Sequence, residues 1–186
     1  MKKILFLGLF VALSVTTVQA QKFNWGIKGG LNISSLTGDI ENTKSLAGFN
    51  AGLFAEIKVL KLLAIQPEVV YSTQGTAFDD FEGHSVESLK LDYINIPVLA
   101  KLYIFNLFYL EAGPQMGFLM NAKQGSTDVK DSIEDTDLAI AAGLGVSFAD
   151  KFRANGRVNF GTTDIDKSDA SDVKSMTVQI GAAYIF

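Results

Sequence analysis

The 186-residue chain carries 16 basic and 20 acidic side chains and no cysteine. Without cysteine it has no disulfide framework and no thiol-based metal or redox site. Its net negative charge disfavours a nucleic-acid partner, because phosphate binding requires a basic surface.

Residues 1–20 have the pattern of a secretory signal peptide. The segment opens with two lysines, continues with an apolar run from Ile4 to Leu13, and ends on the small residues Val18 and Ala20. The apolar run is far shorter than the roughly 20 residues that a spanning helix needs, which disfavours the alternative of a membrane anchor. We predict a cleaved signal peptide at 1–20 and one mature domain at 21–186, with a net charge of −6.

Eight segments of the mature domain alternate between apolar and polar or small residues, which is the pattern of β-strands with two unlike faces. They are predicted at about 23–33, 48–59, 62–72, 89–104, 107–120, 137–149, 152–161 and 175–186. In the last segment Val178 and Ile180 lie on one face and Gln179 on the other. Eleven residues at about 3.3 Å each, tilted by roughly 45°, rise about 25 Å, the height of the apolar band of a membrane barrel.

The connections alternate between tight turns and long polar loops. Turns are predicted near residues 60–61, 105–106 and 150–151, and loops at about 34–47, 73–88, 121–136 and 162–174. Short turns on one rim and long loops on the other are typical of an outer-membrane barrel with both termini on the periplasmic side. The predicted fold class is therefore all-β: a single eight-stranded antiparallel transmembrane β-barrel with short periplasmic turns and long extracellular loops.

The composition of the two faces bears on which solvent surrounds the barrel. A soluble, lipocalin-like barrel would bury its apolar face around a ligand, and this is the alternative reading. Aromatic residues near strand ends suit the two interfaces of a membrane. The apolar face carries ten of them: Trp25, Phe49, Tyr71, Phe108, Phe118, Phe148, Phe152, Phe160, Tyr184 and Phe186. We predict that this face contacts outer-membrane lipid and that the polar face lines the lumen.

The polar face carries a cluster of charged residues. They are Lys28, Glu56, Glu68, Lys101, Glu111, Arg153 and Arg157. The four basic and three acidic groups nearly balance, and about eight strands leave an interior just wide enough for side chains to fill. We predict a paired, hydrogen-bonded plug, with a narrow path for a proton or small solute as the alternative.

Five stretches of the mature chain carry a family resemblance: GIKGGLNIS at 26–34, QPE at 66–68, YINIP at 93–97, EAGPQ at 111–115, and the aromatic end at Phe186. Together they resemble the PorT-like outer-membrane β-barrel proteins of the Bacteroidota. The resemblance covers essentially the whole mature chain, and its motifs are structural and identify no chemistry. It implies a barrel exported through the periplasm and inserted by the barrel-assembly machinery, with Tyr184 and Phe186 as the C-terminal insertion signal.

The only histidine is the one candidate for acid-base catalysis. His84 lies beside Ser85, with Glu82 and Glu87 close by. A histidine near a serine or a carboxylate can activate a nucleophile or water, but no G-x-S-x-G motif accompanies it. We predict no enzyme activity, and a lipid-modifying or proteolytic enzyme is the disfavoured alternative.

The predicted loops are acidic. Asp164, Asp166 and Asp169 have a spacing similar to part of a calcium loop, but the glycine and the bidentate glutamate of an EF-hand are absent. Solvated loops are the main expectation, and a weak calcium or magnesium site at these three residues is the alternative. No cofactor is predicted.

Proline cannot donate to a β-ladder, and all three prolines of the chain, Pro67, Pro97 and Pro114, fall inside predicted strands. We expect a bulge or a missing ladder bond at each. The function predicted from the whole pattern is that of a monomeric, non-enzymatic integral outer-membrane protein. Its barrel is structural, or its loops contact an extracellular protein or a divalent cation.

Overall fold

The computed structural model describes residues 23–38, 43–78, 88–105, 107–125, 127–130, 133–149, 151–163 and 173–186. The strands within these residues are β1 (Phe23–Gly38), β2 (Thr43–Lys58), β3 (Leu63–Phe78), β4 (Ser88–Ile104), β5 (Phe108–Gln124), β6 (Thr127–Asp128), β7 (Thr136–Ser147), β8 (Phe152–Gly161) and β9 (Val173–Ile185). This described part of the chain contains no helix long and apolar enough to cross a membrane.

All the strands belong to one antiparallel sheet that closes on itself. The hydrogen-bonded order is β4-β3-β2-β1-β9-β8-β7-β5, and β4 also pairs with β5, which completes the ring. The two-residue strand β6 pairs only with the end of β5. The predicted fold class, a closed eight-stranded antiparallel barrel, is confirmed.

Successive residues of each strand point to opposite sides of the barrel wall, as the period-two pattern predicts. On β1 the outward Leu31 is 69% exposed and the inward Asn32 is fully buried. On β4 Val98 is 44% exposed and Leu99 is fully buried. The outer wall therefore presents large apolar side chains and the interior holds the polar ones, which excludes the soluble lipocalin-like alternative.

Aromatic side chains pack against one another on the outer wall at two heights. Near the turn rim the rings of Trp25 and Phe186 stack with their centroids 4.3 Å apart, and the rings of Phe152 and Tyr184 meet edge to face at 5.1 Å. Higher on the wall, Phe49 and Tyr71 lie 5.9 Å apart. Two such belts are the arrangement expected at the two interfaces of a bilayer.

The outer face of β4 shows where the apolar band ends. Its outward residues are apolar at every second position from Ile104 to Ile94, and the next two are Asp92 and Lys90. Ten residue steps of about 3.3 Å, at a tilt of roughly 45°, rise about 23 Å, close to the thickness of the apolar band of membrane barrels. Asp92 and Lys90 therefore lie just beyond the band on the loop side.

The strands extend further toward the loop rim than their sequence predicts. The first predicted strand ends at 33 and the third at 72, whereas β1 continues to Gly38 and β3 to Phe78. The predicted loops are shortened by the same amount. Beyond the apolar band, water replaces lipid on the outside, so alternation between apolar and polar residues no longer marks the strand.

The turn rim agrees with the sequence. The predicted tight turns fall at the short connections from β2 to β3, from β4 to β5 and from β7 to β8. In two of them the backbone passes through the left-handed region, at Phe105 with φ 52° and at Ala149 with φ 71°. These turns set the antiparallel register of the strand pairs that they join.

The ladder is interrupted beside each proline but keeps its register. Two successive pairs are skipped beside each proline, and the skipped pairs that contain the proline are Ala55–Pro67, Glu68–Pro97 and Val98–Pro114. A proline lacks the backbone N–H that such a pair requires, which explains these missing links. Register shifts occur elsewhere, between Ser45 and Asn50 on β2 and between Asp92 and Tyr93 on β4.

Candidate functional site: the charged interior of the barrel

Alternation along six strands carries a set of charged side chains into the lumen. All of them are between 0 and 8% exposed. The set consists of Lys28 from β1, Glu56 from β2, Glu68 from β3, Lys101 from β4, Glu111 from β5, and Arg153 and Arg157 from β8. The structure thus brings together the seven residues of the charged cluster that the sequence singles out.

Arg157 is the centre of the larger of two networks. Its Nη1 and Nη2 donate to the two carboxylate oxygens of Glu68, at 2.9 and 2.8 Å, and its Nε donates to Oε1 of Glu111 at 2.8 Å. Nζ of Lys28 donates to the same Glu68 carboxylate at 2.8 Å. A planar guanidinium with two carboxylate partners satisfies its donors in fixed directions, which holds the surrounding strands in place.

Lys101 extends this network toward the aromatic side of the lumen. Its Nζ lies 3.5 Å from Oε2 of Glu111 and 4.0 Å from the centre of the Tyr109 ring. A cation over an aromatic face gains a favourable electrostatic interaction that is stronger when water is excluded. Lys101 therefore has both an ionic and an aromatic partner.

The second network is built on Glu56. Arg153 donates to both of its carboxylate oxygens, at 2.6 and 3.0 Å, and the Tyr103 hydroxyl donates to Oε2. Nδ2 of Asn24 donates to Oε1 at 3.2 Å. A carboxylate with this many donors keeps its charge stabilised although it is fully buried.

An uncharged polar layer occupies the lumen alongside the charged networks. Nδ2 of Asn32 donates to Oγ of Ser72 at 2.9 Å, and Nδ2 of Asn50 donates to Oδ1 of Asn32 at 2.7 Å. The hydroxyl of Thr177 donates to Oε1 of Gln74 at 2.9 Å. Alternation in the sequence places these residues on the inward face, but they are not among the predicted site residues.

An apolar cluster lies inside the barrel at its loop end. Its buried members are Leu89, Leu91, Tyr93, Leu119 and Ala122, and Val129 and Ile133 pack against them. This cluster is not predicted from the sequence, because the alternation pattern assigns apolar residues to the outer face. The polarity of both faces of β4 inverts where the apolar band ends, so the interior is apolar at the height where the exterior is polar.

Little space remains among the charged side chains. The cavity lined by Lys28, Tyr109, Arg153, Arg157 and their neighbours measures about 10 Å³, which is room for about one water molecule. The seven charged side chains of the interior each lie in an ion pair with another of them. This arrangement can hold the barrel walls together.

The remaining predicted residues fall into two groups. Tyr184 and Phe186 lie on the turn-side outer wall, where Phe186 stacks on Trp25 and its backbone N–H donates to the Trp25 carbonyl at 3.0 Å. His84 with its neighbours, and the candidate cation ligands Asp164, Asp166 and Asp169, lie outside the described residues. Among the residues that are described, no three potential metal ligands come together.

Comparison with known sequences places the chain in a family context. Residues 19–167 match the sequence profile described as "Outer membrane protein beta-barrel domain". No curated protein matches the chain significantly.

Comparison with solved structures finds membrane barrels of the same architecture. Ail, the attachment invasion locus protein of Yersinia pestis, solved with the heparin analogue sucrose octasulfate, is 21% identical with a TM-score of 0.56. The match covers 89% of this chain and 99% of Ail. Neisserial surface protein A is 14% identical with a TM-score of 0.61, over 87% of this chain and 97% of that protein. At these identities the likeness concerns the fold.

Proposed function

Because this chain belongs to the outer membrane protein beta-barrel domain family, we propose that it is a non-enzymatic outer-membrane protein with a closed lumen. The chain is an integral protein of the outer membrane, and its eight strands form the membrane-spanning wall. In our proposal the barrel serves as a rigid support, and the extracellular loops make the functional contacts. Recognition residues commonly lie on loops held by a rigid scaffold.

The observation that carries the closed lumen is the Arg157 network. Arg157 reaches across the interior from β8 to Glu68 of β3, and Glu68 also binds Lys28. An ion crossing the lumen would have to displace these paired charges from a site with a cavity of only about 10 Å³. Separating buried partners without replacing them is costly, so the paired state is favoured over an open one.

The absence of enzyme activity is part of the same proposal. In the described interior, the carboxylates of Glu56, Glu68 and Glu111 are each held by a basic partner. A general base needs a free position from which to take a proton from a substrate. These interior groups therefore suit a structural role better than a catalytic one.

The charge of the loops constrains the partner. The predicted loop segments 34–47, 73–88, 121–136 and 162–174 carry fourteen acidic residues and five lysines. A partner with basic groups, or a divalent cation, complements this charge. A polysulfated ligand like the one bound to Ail does not complement this charge. We therefore expect calorimetry with sucrose octasulfate to show no binding to the loops of this chain.

The finer assignments rest on the sequence pattern. We propose that the chain is a PorT-like barrel of the Bacteroidota with a cleaved signal peptide at 1–20, and that it is monomeric. In this proposal the barrel-assembly machinery inserts it by way of the terminal strand that ends with Tyr184 and Phe186. N-terminal sequencing of the protein extracted from outer membranes tests the cleavage of the signal peptide, with Gln21 expected as the first residue.

Conductance across a planar bilayer tests the closed lumen. We expect no discrete openings above the bilayer leak from the purified mature chain. The variant Arg153→Ser/Arg157→Ser, measured in the same way, lacks two long side chains in the interior and should produce measurable openings. Stable openings of the unmodified protein would show that it is a channel.

A further inference from the structure

Two lysines face each other on the outer wall near the loop rim. Lys90 of β4 and Lys123 of β5 are direct partners in the antiparallel ladder, and both side chains are exposed. Like charges in directly opposite positions repel each other. Within the described part of the chain neither lysine takes part in an ion pair. Lys123 also faces Asp128 of β6 in the ladder, and Asp92 lies two residues from Lys90 on the same outer face. The two lysines therefore bring positive charge to a surface that also carries carboxylates.

The depth of this pair relative to the membrane follows from the apolar band. From the turn rim upward, the outward residues of β4 are apolar as far as Ile94, and Lys90 lies four residues beyond Ile94 on the side of the loop rim. On β5 the apolar outward residues end with Phe118 and the bulged Met120, just before Lys123. Both lysines thus stand at the height where lipid headgroups begin, on the loop side of the membrane.

The surface around the lysine pair is concave. The residues that line a groove of about 490 Å³ include Phe49, Thr73, Lys90, Asp92, Asn121 and Lys123. The Asp92 carboxylate in this groove accepts a hydrogen bond from Nδ2 of Asn121 at 3.3 Å. A third lysine, Lys130, lies close by, since its Nζ donates to the Met120 carbonyl at 3.2 Å.

We propose that this groove binds the phosphate group of a lipid in the outer leaflet through Lys90 and Lys123. A phosphate between the two ammonium groups would replace their repulsion with two charge-assisted contacts. The apolar surface directly below would accept the acyl chains: Phe49 lines the groove, and Ile94 and Phe118 are ladder partners on the outer face just below Asp92. This site is on the outer wall and does not depend on whether the lumen conducts.

A lipid fits the groove better than a soluble anion does. A free phosphate would gain only the contacts with the lysines, whereas a phospholipid or phosphoglycolipid also keeps its chains against the apolar wall. The site therefore predicts binding that requires both the phosphate and the lipid tail.

The test uses the folded mature chain in phosphatidylcholine nanodiscs, titrated with diphosphoryl lipid A and read out by native mass spectrometry. The variant is Lys90→Gln/Lys123→Gln. The matched control, Lys61→Gln/Lys151→Gln, removes the same charge from exposed lysines at the turn rim. A second variant, Lys90→Arg/Lys123→Arg, keeps both positive charges and so separates loss of charge from loss of the native side chains. The electrophoretic shift on boiling shows whether each variant is folded.

We expect the glutamine variant to bind lipid A about tenfold or more weakly than the unmodified protein, and the control and arginine variants to bind it normally. Lipid A without phosphates should bind the unmodified protein as weakly as phosphorylated lipid A binds the glutamine variant. Equal affinity of the glutamine variant and the unmodified protein would overturn the proposal. Displacement of lipid A by millimolar inorganic phosphate would also overturn it, because a free anion would then suffice.

Discussion

Arg157 and Glu68 are joined by two hydrogen bonds of 2.9 and 2.8 Å between strands on opposite sides of the barrel. They are 89 residues apart in the chain, on β8 and β3, which are not neighbours in the sheet. The pair therefore connects two walls that the backbone ladder does not join directly. Its two fixed contacts also bring Lys28 and Glu111 into one network.

Loss of the Arg157 side chain should destabilise the barrel. Arg157→Met leaves the buried Glu68 carboxylate with Lys28 as its one basic partner and removes the Nε contact of Glu111. We expect a loss of about 3–5 kcal/mol in the free energy of unfolding, the range for breaking a buried ion pair. Urea unfolding of the protein folded in lipid vesicles measures it. The control Lys151→Met, at an exposed position just before β8, should lower the free energy of unfolding by less than about 0.5 kcal/mol. Equal effects of the two changes would contradict this role for Arg157.

The members of this network could be predicted from the sequence, but their partners could not. Alternation assigns Glu68 and Arg157 to the inward face from local pattern alone. Which carboxylate meets which guanidinium depends on strand register around the whole ring, and 89 residues separate this pair. Local pattern carries no information about such a distance.

The loop end of the barrel was predicted less well for a different reason. Leu91 points inward and Asp92 outward, which reverses the rule that holds lower on β4. Apolar residues face outward only where lipid surrounds the wall, so this rule no longer applies above the apolar band. The same change explains why β1 and β3 extend beyond their predicted ends and why the apolar interior cluster around Leu91 was missed.

Glycine at position 145 makes room for an aromatic ring. A Cβ atom there would overlap Cζ of Tyr109, which is itself packed in the buried interior. Gly145→Ala must therefore displace the ring, and we expect it to cost about 1–3 kcal/mol in the free energy of unfolding. Urea unfolding in lipid vesicles again provides the measurement.

Gly156 supplies the control for this effect. It also lies within a barrel strand, β8, but a Cβ atom there would meet nothing within 4 Å. Gly156→Ala should be neutral or should stabilise the barrel by up to about 1 kcal/mol, because alanine restricts the unfolded chain. A Gly145→Ala variant as stable as Gly156→Ala would show that Tyr109 moves aside freely.

The contact between Trp25 and Phe186 lies at the seam where the first and last strands meet. Their rings stack at 4.3 Å, and the Phe186 N–H bonds to the Trp25 carbonyl. If the terminal aromatic residue is the insertion signal, Phe186→Ala should lower the amount of protein in the outer membrane several-fold and leave folding in detergent nearly unchanged. Phe108→Ala, at another exposed aromatic position at the turn rim, should leave both quantities unchanged. Normal outer-membrane levels of Phe186→Ala would contradict a targeting role.

Measuring where the membrane lies along β4 is the most direct test of the lipid-facing outer wall. The chain has no cysteine, so single cysteines at Lys90, Ile94, Val98 and Leu102 can each carry one nitroxide label in a lipid bilayer. We expect oxygen accessibility to be highest at Val98, and accessibility to a water-soluble nickel chelate to be high only at Lys90. A label at Val98 that the nickel chelate reaches as readily as one at Lys90 would contradict a lipid-facing outer wall.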